Sequence, residues 1–326
     1  MAGYRIAFVL LLVLPLTAAA EPRVVTVAVA SNFKVTAAEL AVVFEAETGH
    51  RVRLSAGSTG KLYAQIVNGA PFDVFLAADA ERPRLLAESG LGIETSRFTY
   101  ATGSLVLWFA DPATAGRDCR KLLDGGLNGR LAIANPKLAP YGRAAREFLV
   151  KAGYWALLED RLAVGESIAQ AFQFVATANA EAGLLALSQT TQRTRMAPRG
   201  CVWQVPRSMH APIEQQAILL DRAAGNPAAL ALLEFLQNEA ARKIIAAHGY
   251  PSTDEPINES INEPINGPTN GSINEPVDEP TNGSINAPIK GQTNGPINGP
   301  TNGLINGLMN EPRDGPVDGR IDGAGR

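Results

Sequence analysis

The chain has 326 residues, of which 46% are hydrophobic and 19% charged, with a formal net charge of −3. Residues 21–252 carry 24 Lys and Arg against 21 Asp and Glu, an excess too small for the basic surface of nucleic-acid-binding proteins. The three histidines, His50, His210 and His248, are too far apart for a metal-binding motif, and HExxH, CxxC and GxGxxG are absent.

The first 20 residues have the pattern of a secretory signal peptide. Arg5 supplies a positive charge, an apolar run covers residues 6–14, and Ala18, Ala19 and Ala20 give the small residues of a cleavage site. The alternative is an N-terminal membrane anchor, but the apolar run is short for a membrane span. The sequence therefore predicts an exported, soluble mature protein.

Short β-rich runs alternate with amphipathic helical patterns over 21–252, which predicts an α/β fold divided into two lobes. Strands are predicted at 24–30, 52–55, 73–77, 104–109, 131–134, 161–164, 183–187, 202–205 and 214–220. A first helix is expected to follow the cap residues Ser31 and Asn32 and to end at Gly49. Further helices are predicted at 61–67, 141–152, 167–177, 227–237 and 239–248.

Several predicted strands run into a short polar turn and then into a helix. These turns contain Ser31-Asn32, Ser58-Thr59-Gly60, Tyr141-Gly142 after Pro140, and Ser167-Ile168 after Glu166. Helix N-termini expose unpaired N–H groups and the positive end of the helix dipole. One such turn is ordinarily only a helix cap. Four of them in a two-lobed exported chain favour a site where neutral donors bind an anion.

The segment around Ser58 also matches an enzyme pattern. Ser58 and Lys61 have the Ser-x-x-Lys spacing of serine acyl-transferases, although the Lys-Thr-Gly strand of those enzymes is absent. A phosphate-binding loop does not fit, because Ser55 and Leu62 stand where that motif needs Gly and Ser or Thr. A periplasmic serine hydrolase that uses Ser58 and Lys61 remains as an alternative of a different class.

The chain has two cysteines, Cys119 and Cys201. In an oxidising compartment a single pair favours a disulfide, and the alternative is two buried free thiols.

Residues 253–324 form a repeat of four residues. The first position is mostly Ile, Thr or Val, the second Asn or Asp, the third Gly or Glu, and the fourth often Pro or Ser. Recurring proline excludes a helix or a central strand, and one aliphatic residue in four cannot offset the entropy of ordering. We expect 253–326 to be a disordered, turn-rich tail, with a spacer or an adhesive arm as the alternative.

Three longer segments point to a family. AVASNF at 28–33, GSTGKLYAQI at 57–66 and GAPFDVFLAAD at 69–79 closely resemble the periplasmic molybdate-binding proteins of ABC importers. The resemblance covers 24–250, including Pro140-Tyr141-Gly142 and the closing His248-Gly249-Tyr250, and it excludes the tail.

The resemblance implies a type II periplasmic-binding-protein fold with a two-strand hinge. Lobe one would comprise 21–103 and 208–252, lobe two 104–207, and the crossings would lie near 101–103 and 209–212. The implied function is a periplasmic, monomeric, non-enzymatic receptor for molybdate and tungstate, which delivers its ligand to an ABC permease in the inner membrane. Molybdenum would enter only as the oxyanion, with no cofactor. A receptor for sulfate, thiosulfate or another tetrahedral oxyanion is the alternative within the same class.

The resemblance also implies the ligand-binding positions. In lobe one they are Ser31 with Asn32, and Thr59 with the adjacent Ser58. In lobe two they are the Tyr141 hydroxyl and the backbone N–H of Ile168.

Some family members bind through a later tyrosine, whose place is taken here by Ala186, and we expect Tyr141 to compensate. Neutral donors suffice for a dianion, so Lys61 is expected to point into solvent. Asp73 and Asp79 are expected to organise a strand and its following turn, because a carboxylate would repel the ligand.

Overall fold

The structure is a computed structural model that describes residues 23–191 and 200–251. The predicted signal peptide at 1–20 and the repeat tail at 253–326 lie outside the described residues. Within the described ranges, no helix combines the length and the hydrophobicity of a membrane-spanning segment.

The described residues form two mixed five-stranded sheets. The strands are β1 Val24–Ala30, β2 Arg51–Gly57, β3 Val74–Leu76, β4 Phe98–Gly103, β5 Leu105–Phe109, β6 Leu131–Ala134, β7 Leu162–Gly165, β8 Ala182–Ala186, β9 Cys201–Gln204 and β10 Ile213–Leu219. The strand order is β2-β1-β3-β10-β4 in the first sheet and β7-β6-β8-β5-β9 in the second. The strands of the first sheet therefore come from sequence both before and after the strands of the second sheet.

Helices connect and cover the strands. They are α1 Lys34–Thr48, α2 Thr59–Val67, α3 Glu81–Glu88, α4 Cys119–Asp124, α5 Pro140–Lys151, α6 Trp155–Leu158, α7 Ile168–Ala176, α8 Leu187–Thr190, α9 Pro227–Leu236 and α10 Glu239–Ala247. Each sheet has its own apolar core. In the first, Phe44 packs on Phe235 with ring centroids 5.6 Å apart, and in the second Trp108 stacks on Phe172 at 5.2 Å.

The register of the sheets decides where a site can form. Strands β1, β2 and β3 are parallel, and so are β6, β7 and β8. The antiparallel strands are β10, between β3 and β4, and β5, between β8 and β9. In such sheets ligands bind at the carboxyl ends of the parallel strands. The predicted two-lobed α/β architecture is confirmed.

Two local predictions were wrong. Ser31 and Asn32 do not cap α1, because the N-cap position is Phe33 and it makes no side-chain cap. The sequence prediction also omitted β4, whose half-buried and buried positions do not follow the strict alternation that marks a strand.

The two cysteines are joined in the second sheet's lobe. Cys119 begins α4 and Cys201 begins the edge strand β9, and a disulfide links them with their Cα atoms 5.7 Å apart. The bond spans 82 residues of sequence and ties an edge strand to the helix packed beside it.

We expect the double variant Cys119→Ser, Cys201→Ser to lose about 2–4 kcal/mol of unfolding free energy, because the bond restricts the unfolded chain. Denaturant unfolding of the variant and of the oxidised protein measures this difference. The unreduced wild-type protein should be two hydrogens lighter in mass than the reduced one. Equal unfolding midpoints, or two alkylatable thiols in the exported protein, would contradict the expectation.

Candidate anion-binding site

In lobe one, three loops meet at the carboxyl edge of the parallel strands. The loop after β1 holds Ser31, and its N–H donates to the Gly57 carbonyl oxygen, 2.9 Å away, at the end of β2. Thr59 begins α2, and its Oγ1 accepts a bond of 3.1 Å from the N–H of Ala78, just after β3. These bonds hold the Ser31 and Thr59 loops side by side, while the Thr59 hydroxyl keeps its own proton to donate.

In lobe two, two helices begin at the corresponding edge. Pro140 opens α5, a position where its missing N–H has no cost, and Tyr141 follows with 1% of its surface exposed. Ile168 opens α7 after the N-cap Ser167, whose Oγ accepts from the N–H of Gln170 at 3.3 Å. The N–H of Ile168 lies in the first helical turn and so has no intrahelical acceptor.

Two hydroxyl groups at these helix starts lack partners. Among the described residues, Ser58 Oγ and the Tyr141 hydroxyl are buried without any hydrogen bond. Buried polar atoms are almost always bonded, so each of these hydroxyls, one in each lobe, is available to an acceptor. Burial, with smaller contributions from Tyr250 and Tyr100, raises the pKa of Tyr141 well above its usual value. Tyr141 therefore keeps the proton that it would donate.

The two edges touch across the cleft. The N–H of Gly60 in α2 donates to the carbonyl oxygen of Leu138, just before α5, at 2.8 Å. Lys61 forms a salt bridge with Glu166 of lobe two. Lys61 points into solvent as predicted, and its exposed ammonium group also has a carboxylate partner 105 residues away in sequence. The cross-cleft contacts therefore lie beside Ser58 and near Tyr141.

The Asn32 side chain is already committed. Its Nδ2 donates to Gln215 Oε1 at 2.7 Å and to the Tyr250 hydroxyl at 3.0 Å. These two bonds use both amide hydrogens. If Asn32 contributes to an anion site, the donor is its backbone N–H.

The two aspartates do what the sequence predicts. Asp73 Oδ2 accepts from the N–H of Thr26 at 2.7 Å and so joins β1 to β3. Asp79 Oδ1 accepts from the N–H of Arg82 at 3.1 Å, and its carboxylate pairs with the same arginine. Both carboxylates are thus occupied in organising the strand and the following turn.

Within residues 23–191 and 200–251, Ser58 and Lys61 do not form the arrangement that a serine hydrolase requires. Among these residues, no base lies within hydrogen-bonding distance of Ser58 Oγ, and the ammonium group of Lys61 faces Glu166. A general base must reach the nucleophile's proton to activate it. In the part of the chain that the structure describes, no cluster of three His, Cys, Asp or Glu could hold a metal ion.

Sequence reasoning missed two glycines that shape the site. A Cβ on Gly103, at the end of β4, would lie 2.3 Å from the Tyr141 hydroxyl oxygen. A Cβ on Gly142 would lie 2.2 Å from the carbonyl oxygen of Ala134, so only glycine lets α5 start against β6. The Pro-Tyr-Gly motif contains the second glycine, whereas no local pattern marks the first.

Comparison with known proteins agrees with this geometry. The family model described as bacterial extracellular solute-binding protein matches residues 25–251. The molybdate-binding protein ModA of Azotobacter vinelandii is 46% identical over 235 residues, covering 72% of this chain and 92% of that protein. ModA of Rhodobacter capsulatus is 44% identical over 241 residues, covering 74% and 93%.

A solved structure gives the same result. The periplasmic molybdate-binding protein of Azotobacter vinelandii superposes with a TM-score of 0.66 at 38% identity, over 70% of this chain and 99% of that one. The resemblance predicted from three sequence segments is confirmed.

Proposed function

The chain belongs to the family of bacterial extracellular solute-binding proteins, and we propose that it binds molybdate in the cleft between its two lobes. The relatives named as molybdate-binding proteins, at 46% and 44% identity, support this ligand. The observation that carries the proposal is that the buried hydroxyls of Ser58 and Tyr141, at helix starts in opposite lobes, have no hydrogen-bond partner among the described residues.

The proposed ligand set consists of neutral donors. Its members are Ser31, Asn32, Ser58, Thr59, Tyr141 and Ile168. Asn32 and Ile168 contribute backbone N–H groups, and the others contribute hydroxyls. Hydrogen bonds to a charged acceptor are stronger than neutral ones, so such a set can bind a dianion without an arginine or lysine at the ligand.

The same proposal covers the setting of the protein. It acts as a monomeric, non-enzymatic receptor in the periplasm and delivers its ligand to an ABC permease in the inner membrane. Tungstate, which has the same shape and charge, binds at the same site. Molybdenum is present only within the oxyanion, and neither a cofactor nor a nucleic acid takes part.

Calorimetric titration of the mature protein with molybdate, tungstate, sulfate and phosphate tests the function. We expect tight binding of molybdate and tungstate and weak or no binding of the other two. Binding of sulfate without binding of molybdate or tungstate would instead support a sulfate receptor. Covalent labelling of Ser58 by a serine-reactive probe would support the hydrolase.

The repeat tail is expected to make no contribution to binding. A chain that ends at Ser252 should bind molybdate as tightly as the full mature protein, since all proposed donors lie between Ser31 and Ile168. The same titration compares the two chains. A tenfold loss on truncation, about 1.4 kcal/mol, would show that the tail acts on the site or on its closure.

A further inference from the structure

A ring of hydrogen bonds starts and ends on Asn32, next to the proposed anion site. Asn32 Nδ2 donates to the Tyr250 hydroxyl at 3.0 Å. The oxygen of Tyr250 lies 3.0 Å from Ser188 Oγ, and Ser188 Oγ lies 3.3 Å from the carbonyl oxygen of Asn32. Three segments that are distant in sequence meet in this ring.

The Tyr250 hydroxyl has two acceptors within reach, because its oxygen also lies 3.1 Å from the carbonyl oxygen of Asn32. Tyr250 and Ser188 each have one hydroxyl hydrogen. If Tyr250 donates to Ser188 and Ser188 donates to the Asn32 carbonyl, every hydrogen in the ring has an acceptor. The second amide hydrogen of Asn32 goes to Gln215 Oε1 at 2.7 Å. Bonds arranged head to tail in this way polarise and strengthen one another.

The ring is buried, and the turn that leads into it requires glycine at position 249. Tyr250 is 1% exposed, and Asn32 and Ser188 are each 5% exposed. Gly249 has a φ of +85°, and a Cβ there would lie 2.8 Å from Thr191 Cγ2. The closing segment after α10 thus passes directly against α8, which follows the last parallel strand of lobe two. Burial raises the pKa of Tyr250 to about 12, so its hydroxyl remains a donor.

The hydrogen-bonded ring includes residues from both lobes. Asn32 follows β1 and Tyr250 follows α10, both of which belong to the first sheet's lobe. Ser188 lies in α8, directly after β8 of the second sheet. One phenol therefore joins the ligand loop of lobe one to lobe two, and it does so through the residue beside Ser31.

We propose that Tyr250 is a positioning residue for the anion site. It does not touch the ligand. Its hydroxyl fixes the peptide of Asn32, so that the Ser31-Asn32 turn presents its donors to the cleft, and it couples that turn to lobe two through Ser188. This inference rests on the proposed function for its ligand but not for the ring itself.

The test uses Tyr250→Phe, Ser188→Ala and the double variant in the full mature protein. Tyr154→Phe is the matched control, since it removes a phenol bonded to Asp124 that has no part in the ring. Molybdate affinity is measured by calorimetry. Hydrogen exchange of a peptide spanning residues 28–36 is measured without ligand, together with the melting temperature.

We expect each single variant to bind molybdate about tenfold more weakly, the size of effect that loss of one buried hydrogen bond produces. The affinity of the double variant for molybdate should equal that of the single variant with the lower affinity, because the ring acts as a unit. Exchange at 28–36 should be faster in Tyr250→Phe, whereas Tyr154→Phe should change neither affinity nor exchange there.

Two failures are distinguishable. A wild-type protein that binds no molybdate overturns the proposed function. Hydrogen exchange at 28–36 in Tyr250→Phe then tests only whether the ring orders the Ser31-Asn32 turn. A Tyr250→Phe protein that melts at a lower temperature but keeps wild-type affinity and exchange shows a purely structural tyrosine and overturns the positioning role. Additive losses in the double variant would overturn the coupling through Ser188.

Discussion

Tyr141→Phe is expected to weaken molybdate binding by roughly tenfold to a hundredfold, the range given by ~1.5–3 kcal/mol for a bond to a charged partner. The change keeps the buried ring and removes only a hydroxyl that has no partner within the described protein. Stability without ligand should therefore remain nearly unchanged. Calorimetry of binding and thermal unfolding of the free protein measure the two effects separately.

The comparison from lobe one is best made at Ser58. Ser58→Ala also removes a buried hydroxyl that has no partner in the described part of the chain, whereas Thr59→Ala would remove the acceptor of the Ala78 N–H. We expect Ser58→Ala to cost affinity with little loss of stability, and Thr59→Ala to cost both. If Tyr141→Phe binds molybdate like wild type while Ser58→Ala does not, then Tyr141 does not compensate for the tyrosine that Ala186 replaces.

Gly60→Ala is expected to weaken molybdate binding about tenfold or more while leaving lobe one equally or more stable. The new Cβ would lie 2.9 Å from the carbonyl oxygen of Leu138 and 3.2 Å from its Cα, which are backbone atoms of the other lobe. Moving the lobes apart relieves this contact, and a protein whose binding-competent state is less populated binds more weakly in proportion. Within α2, alanine is a better helix former than glycine.

Affinity and stability should thus change in opposite directions, which a merely damaged fold would not produce. Gly225→Ala is the matched control, because a Cβ there has no atom within 4 Å. It should leave molybdate affinity unchanged. Wild-type affinity in Gly60→Ala would mean that the contact between Gly60 and Leu138 is not part of the bound state.

The sequence was informative where a hydroxyl residue lies at a helix start that neighbouring residues also indicate. Ser58 and Tyr141 could be predicted because each stands at the start of a helix after a strand, within a motif that several neighbouring residues define. Asn32 shows the limit of such reasoning. A polar residue after a strand looks like a cap or a ligand, but its amide is used by Gln215 and Tyr250, 183 and 218 residues away.

Lys61 and Gly103 could not be assigned for the same physical reason. The partner of Lys61 is Glu166 in the other lobe, and the need for glycine at position 103 arises from the Tyr141 side chain that packs against it. Such contacts form between residues that are distant in sequence and lie in different lobes. They depend on tertiary structure, which the residue pattern of a single segment does not predict.

The strand order has a consequence for the order in which the chain acquires its structure. The second sheet is built from one continuous stretch, from β5 to β9, and can form as soon as that stretch has been synthesised. The first sheet cannot, because β10 lies between β3 and β4 and arrives more than a hundred residues after them. Pairing over such distances is slow, so β3 is left with a bare edge in the meantime. The lobe that is synthesised first is therefore the one completed last, and the proposed site between the lobes can form only after β10 has been made.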